Sequence, residues 1–337
     1  MPQLYCLETE ELFDLLKLSK PYHAKIVKSY LDKGVTDFSL MTSLPKEDRE
    51  RLKKIYPSAL SSSVIERVDA PSATKLAIKL EDGFVIECVR LSDGKGRFTA
   101  CLSSQVGCAM GCKFCATGKM GFSRNLKEGE IVEEFIHLTK LGEHISHIVF
   151  MGMGEPLANF KEVMGAISEL HREDGLNISY RKITISTCGL VPGIKRLTEL
   201  NLPIKLAVSL VSASNDIRSE IMKVNRNYPL SELKKALVAF QHKNDKRITL
   251  EYCLLSGVNT NKESADALRL FTRGLDVLVN LISWNEVDDL PFKTPSEKEI
   301  RDFTSYLRKN GISFTIRKSK GQEEKAACGQ LATEYKN

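Results

Sequence analysis

The chain has 337 residues, 42% hydrophobic and 27% charged, with 49 Lys and Arg against 43 Asp and Glu for a net charge of +6. That is the composition of an ordinary globular protein. No apolar run is long enough to cross a bilayer, so no membrane partner is expected, and the mild positive charge permits nucleic-acid binding without demanding it.

In chain order, residues 1–70 read as a helical accessory domain. Leu12, Phe13, Leu15, Leu16 and Leu18 make one apolar face, and Ile26, Val27, Tyr30 and Leu31 make the next. Two short helical stretches follow over 37–56, and the Ser-rich run 58–63 reads as a linker. The acidic start (Glu8, Glu10, Glu11, Asp14) is unlike a leader, so a cytoplasmic location is expected. Residues 71–96 form a β-hairpin extension, with strands over 76–80 and 84–89 about the turn Glu81-Asp82-Gly83.

From 97 to 337 strands and helices alternate. Strands are predicted over 98–103, 145–151, 182–186, 204–209, 248–253, 277–282 and 313–317. Helices are predicted over 129–141, 161–171, 192–200, 230–242, 264–272 and 297–310. This is the signature of parallel βα units in an α/β fold, either a partial or full barrel or a doubly wound sheet. In each architecture the chemistry sits at the carboxyl ends of the strands.

Nine cysteines, an odd number, suit free thiols in a reducing compartment better than a disulfide scaffold. Three crowd into Cys108-Ala-Met-Gly-Cys112-Lys-Phe-Cys115, in a loop after the strand at 98–103. Thiolates at this spacing can hold three irons of a [4Fe–4S] cubane, which is ordinarily held by four cysteines. The iron left open can chelate the amino and carboxylate groups of S-adenosylmethionine. Zinc would want a second pair or a nearby His, and neither is present. Phe114 is expected to pack against the cofactor. Gly152, Gly154 and Glu155, in Phe150-Met-Gly-Met-Gly-Glu-Pro156, end the next strand. The glycines would let a ligand approach the backbone and the carboxylate could take the methionine ammonium.

Four strings then carry a resemblance: Cys101-Leu-Ser-Ser-Gln-Val-Gly-Cys108, Phe114-Cys-Ala-Thr-Gly118, Met151-Gly-Met-Gly-Glu-Pro156 and Ala326-Ala-Cys-Gly-Gln-Leu331. In that order they resemble the RlmN/Cfr family of radical S-adenosylmethionine RNA adenine methyltransferases, closer to its C2-methylating branch. The resemblance implies a partial (β/α)6 radical-SAM barrel, two S-adenosylmethionine molecules per turnover, and 23S ribosomal RNA, tRNA or both as partner. It also implies a flavodoxin-type electron donor; a monomer is expected.

Residue by residue, the resemblance puts the methyl-carrying thiol on Cys328. The thiol that releases the product through a transient disulfide falls on Cys101, and a proton acceptor on Glu87. It assigns cofactor contacts to Gly154, Glu155, Ser186, Ser209, Leu210, Val211 and Asn285, and the cluster to Cys108, Cys112 and Cys115. Basic loop positions available to phosphates are Lys119, Arg124, Lys127, Arg181, Lys182, Arg218, Lys223, Arg226, Lys318 and Lys320.

The chain departs from the family pattern at Val211, where the family has His, at Glu286, where it has Pro, and over Gln322-Glu-Glu-Lys325. C8 methylation and a radical enzyme acting on a small molecule are the alternative readings.

Overall fold

The structure is a computed structural model, and it describes residues 3–287, 290–317 and 329–331. Three helices lead: α1 (Thr9–Leu16), α2 (Tyr22–Asp32) and α3 (Lys46–Ile55). Strands β1 (Ser63–Ala70), β2 (Ala73–Lys79), β3 (Val85–Ser92) and β4 (Phe98–Cys101) follow. A small pair, β5 (Gln105–Gly107) and β6 (Phe122–Asn125), brackets α4 (Ala116–Met120). The alternating part runs α5 (Glu128–Thr139), β7 (Ile145–Phe150), α6 (Phe160–His171), β8 (Ile183–Thr187), α7 (Val191–Leu200) and β9 (Lys205–Ser209). It continues with α8 (Asn215–Ile221), α9 (Val224–Asn227), α10 (Leu230–Asn244), β10 (Ile248–Leu254), α11 (Lys262–Thr272), β11 (Val277–Ser283), α12 (Glu297–Lys309) and β12 (Phe314–Arg317).

Among the described residues the main sheet has ten strands in the order β1-β2-β3-β4-β7-β8-β9-β10-β11-β12. Pairings among β1 to β4 are antiparallel, and every pairing from β4 through β12 is parallel. The predicted alternation therefore stands as the α/β fold of a partial barrel. β12 extends the parallel run by one short strand at its edge. Helix starts follow local chemistry: Ser296 caps α12 and Glu299 reaches back to its N–H at 2.8 Å, a capping box.

β1 occupies the end of the stretch predicted to be helical. Its residues are mostly exposed, so its sequence, Ser63-Val-Ile-Glu-Arg-Val-Asp-Ala70, shows no clean alternation. Pairing with β2 makes it a strand. The serines before it are pinned: Ser61 and Ser62 donate backbone N–H groups to the buried Glu133 carboxylate of α5, at 2.8 and 2.9 Å. Leu12, Leu16, Val27 and Leu31 of the leading helices share one continuous apolar core with Ile131, Phe135 and Ile148. At roughly 1.5–3 kcal/mol per fully buried aliphatic side chain, this packing is the main force docking the helices.

Candidate active site

A cleft of about 1120 Å³, partly open to solvent, lies at the carboxyl ends of the parallel strands. Cys108, Cys112 and Cys115 line it from the loop after β5, with Gly154 and Glu155 after β7, Ser186 on β8, Ser209 and Val211 at the end of β9, and Asn285 after β11. Residues separated by as many as 177 positions thus meet at one strand end, as barrel geometry requires.

The cysteine loop is fixed by its backbone. Cys108 donates to the Gly121 carbonyl at 2.6 Å, Lys113 to that of Ile221 at 3.0 Å and Ala116 to that of Gly329 at 2.9 Å. Trp284 Nε1 donates to the Phe114 carbonyl at 2.9 Å. Phe114 lines the cleft and packs against the apolar cluster that includes Trp284 and Met222. Burial pushes the Cys108 thiol up to about 12 and raises that of Cys112 further, so metal must displace protons to bind here. Among the described residues no three His, Cys, Asp or Glu side chains converge on a single ion. Thiols that each hold a different iron need not converge, so the donor set fits a cluster with an open iron.

The glycines also admit the protein's own chain. A Cβ on Gly152 would lie 2.6 Å from Ser103 Oγ and 2.7 Å from the Leu102 carbonyl oxygen. One on Gly154, at φ +101°, would lie 2.6 Å from Gln105 Cβ. They let the segment after β4 lie against the segment after β7. That seam is sewn by Ser103 Oγ, which donates to the Glu87 carbonyl at 2.6 Å and accepts from Met153 N–H at 2.8 Å. Glu155 N–H donates to Gln105 Oε1 at 2.9 Å.

The Glu155 carboxylate is turned into the protein. Its two oxygens accept the backbone N–H groups of Leu157 at 3.0 Å and Cys188 at 2.7 Å. Burial raises its pKa, and these hydrogen bonds oppose the rise. A ligand ammonium would have to share oxygens already engaged. Leu210 faces the core instead of the cleft, and its N–H donates to the Glu251 carbonyl at 3.0 Å. Val211 holds φ +58°, a left-handed conformation that a β-branched residue resists, and Asn259 Nδ2 clamps its carbonyl at 2.7 Å.

Glu87 and Cys101 are buried on β3 and β4, off the cleft lining. Glu87 is 2% exposed and ion-paired with Lys75 at 2.9 Å, itself 9% exposed. Among the described residues no two cysteines are joined in a disulfide. Cys328, Lys318, Lys320 and 322–325 lie outside the described residues. Gly329 and Leu331, just beyond Cys328, do line the cleft. Thr117 Oγ1 donates to the Leu331 carbonyl at 2.5 Å and Gln330 Nε2 to that of Glu286 at 2.9 Å.

Two basic positions need correction. Arg218 is wholly buried, and Arg124 is committed to Glu130 and Asp82. Lys119, Lys127, Arg181, Lys182, Lys223 and Arg226 are exposed. The sequence reading also passed over Cys188, Cys253, Glu251 and Trp284, which line the cleft. Strand-end position was the one signal that pointed to them.

The Radical SAM superfamily model matches residues 102–270. The chain is 42% identical to the probable dual-specificity RNA methyltransferase RlmN of Carboxydothermus hydrogenoformans, over 98% of this chain and 97% of that one. It is 40% identical to the dual-specificity RNA methyltransferase RlmN of Anaeromyxobacter dehalogenans, over 99% and 92%. A radical SAM methyltransferase from Sphaerobacter thermophilus superposes with a TM-score of 0.89 at 39% identity, covering 97% and 98% of the two chains.

Proposed function

We propose that this chain, which belongs to the RlmN family of the radical SAM superfamily, methylates C2 of an adenosine in 23S ribosomal RNA, tRNA or both. One observation carries the reading. Gly329 and Leu331, which follow Cys328 in its string, are hydrogen-bonded to the start of α4 directly after Cys115 and line the same cleft as the three cluster cysteines. Cys328 adjoins Gly329 in the sequence, and a cysteine delivered to this cleft would serve a substrate that a radical must also reach.

Cys108, Cys112 and Cys115 would hold a [4Fe–4S] cluster with S-adenosylmethionine on its open iron. When bound, that pair supplies a carbon radical able to take a hydrogen atom from a methyl group. The chain's own residues do the rest. The Cys328 thiolate is nucleophilic enough to take a methyl group by displacement, which an adenine amidine carbon is not. The methyl carbon, once joined to the adenine carbon, remains tied to Cys328 through its sulfur. Cys101 attacks that sulfur, forming a Cys101–Cys328 disulfide; the carbon leaves with the bonding pair and takes up a proton to become the methyl group, and an external dithiol reductant restores both thiols before the next turnover. Glu87, buried beside the strand that carries Cys101 and ion-paired with Lys75 at 2.9 Å, can accept the proton lost from the adenine carbon.

The test is mass spectrometry of Cys101→Ala enzyme after turnover and nuclease digestion. An adenosine joined through one carbon to Cys328 is expected, and fragmentation reads C2. An adduct at C8 would move the site of methylation. No adduct, with iron retained, would transfer the chain to radical chemistry on a small molecule.

A further inference from the structure

We propose that Arg218 is a fixed counter-charge for the iron–sulfur cluster, a buried guanidinium that favours the reduced state and is neutralised by the cluster rather than by a carboxylate. The inference rests on the cluster being held by Cys108, Cys112 and Cys115.

Arg218 lies on α8, is 0% exposed, and is the largest wholly buried side chain among the described residues. Its donors meet only neutral acceptors. Nε donates to the Leu210 carbonyl at 3.0 Å, Nη1 to Asn225 Oδ1 at 3.0 Å, and Nη2 to the carbonyls of Cys188 at 2.6 Å and Ser209 at 3.4 Å. Asn225 cannot be the counter-ion: it is an amide, held by Asn215 and by Ser219 at 2.7 Å. A guanidinium keeps its proton in a protein, so burial cannot neutralise it as it can a lysine. Its hydrogen bonds are made, yet no described carboxylate pairs with it.

A buried charge of this kind calls for a partner. Nη2, on the Cys188 carbonyl, brings the guanidinium to the wall of the cleft that Cys188 and Cys112 both line. Cys112 is the middle cysteine of the cluster motif. The helix bearing Arg218 is joined to that loop, since Lys113 N–H donates to the Ile221 carbonyl at 3.0 Å. Three thiolates on an iron–sulfur core make an anionic centre, and one-electron reduction makes it more negative. A cation fixed beside it in a water-poor site stabilises the reduced form more than the oxidised one, and charge near a cluster is a recognised determinant of its potential. A phosphate-binding role is closed to Arg218 by its burial. A purely structural role, bracketing the ends of β8 and β9, is the reading to be separated.

The experiment uses the full chain reconstituted with iron and sulfide, as wild type, Arg218→Met and Arg218→Lys, without RNA. The reduced cluster is followed by electron paramagnetic resonance in a redox titration. Arg218→Met should lower the equilibrium constant for one-electron reduction at least tenfold, which for one electron is about 59 mV downward. Arg218→Lys, which keeps the charge and loses the fork, should stay within about threefold of wild type. In melting experiments the Met variant should lose more of its melting temperature in the iron-loaded protein than in the iron-free one, where the cation has no partner.

Equal potentials in wild type and Arg218→Met would overturn the proposal. So would equal shifts in the Met and Lys variants, or equal melting losses with and without iron, each of which marks a structural bracket. Should Arg218→Met not fold, Arg218→Gln, neutral but still able to donate to the carbonyls, must shift as Met was expected to. Failure of the wild type to take up iron would instead remove the cluster assignment on which the proposal rests.

Discussion

Replacing Gly154 by Ala tests whether the seam between the segments after β4 and β7 positions the cluster loop. Two costs arise at that residue. Its φ of +101° lies where an L side chain is strained, worth about 1–3 kcal/mol. The new methyl would also lie 2.6 Å from Gln105 Cβ, which is anchored in β5 and cannot swing aside; overpacking of this kind costs about 1–3 kcal/mol. The combined loss, about 2–6 kcal/mol, is a large part of a typical stability of roughly 5–15 kcal/mol. Gly152→Ala supplies the comparison. It meets Ser103 Oγ and the Leu102 carbonyl but has no positive φ, so only overpacking, about 1–3 kcal/mol, is expected. Denaturant unfolding of the iron-free proteins, with an unchanged slope, gives the two losses, and iron per chain after reconstitution shows whether the loop still assembles. A Gly154→Ala loss below about 0.5 kcal/mol, or a Gly152→Ala loss as large as that of Gly154→Ala, refutes this account of the seam.

Three further outcomes are expected. Burial, aided by Lys140, lowers His137 from 6.5 to about 4. The unfolded chain therefore binds a proton that the folded one refuses, and stability falls as pH drops from about 6.5 to about 4, by at most roughly 3 kcal/mol. His137→Gln should flatten that slope in pH-dependent melts, and an unchanged slope would clear His137 of the effect. At Val211 the usual order should reverse: Val211→Gly, relieved of strain at φ +58°, should be at least as stable as Val211→Ala by denaturant midpoint, by up to about 1 kcal/mol. A Gly variant clearly weaker than Ala would deny the strain. Lys75→Met should cost about 3–5 kcal/mol by leaving Glu87 buried without its cation, and Glu87→Gln in the same chain should recover much of it. Additive losses would mean that the pair is not coupled.

The sequence by itself determined the alternation from β4 to β12, the cysteine loop and the strand ends that form the cleft. Those signals are local: apolar periodicity selects helix or strand, and thiol spacing selects a metal chemistry before any fold is known. Only the tertiary structure decided which charges are inside. Arg218 was expected at a loop open to phosphates and is buried, as are Glu133, Glu134 and Lys75, because burial of a charge depends on partners far away in the chain. Glu133 is held by Ser61 and Ser62, and Glu134 accepts the Ser103 N–H at 2.9 Å. Gly152 and Gly154 were legible as close-approach positions, and the structure adds that the protein's own segment after β4 lies against them, which sequence spacing cannot reveal. β1 escaped notice because a strand exposed on both faces has no burial pattern to display; its existence follows from the edge of β2 that it covers.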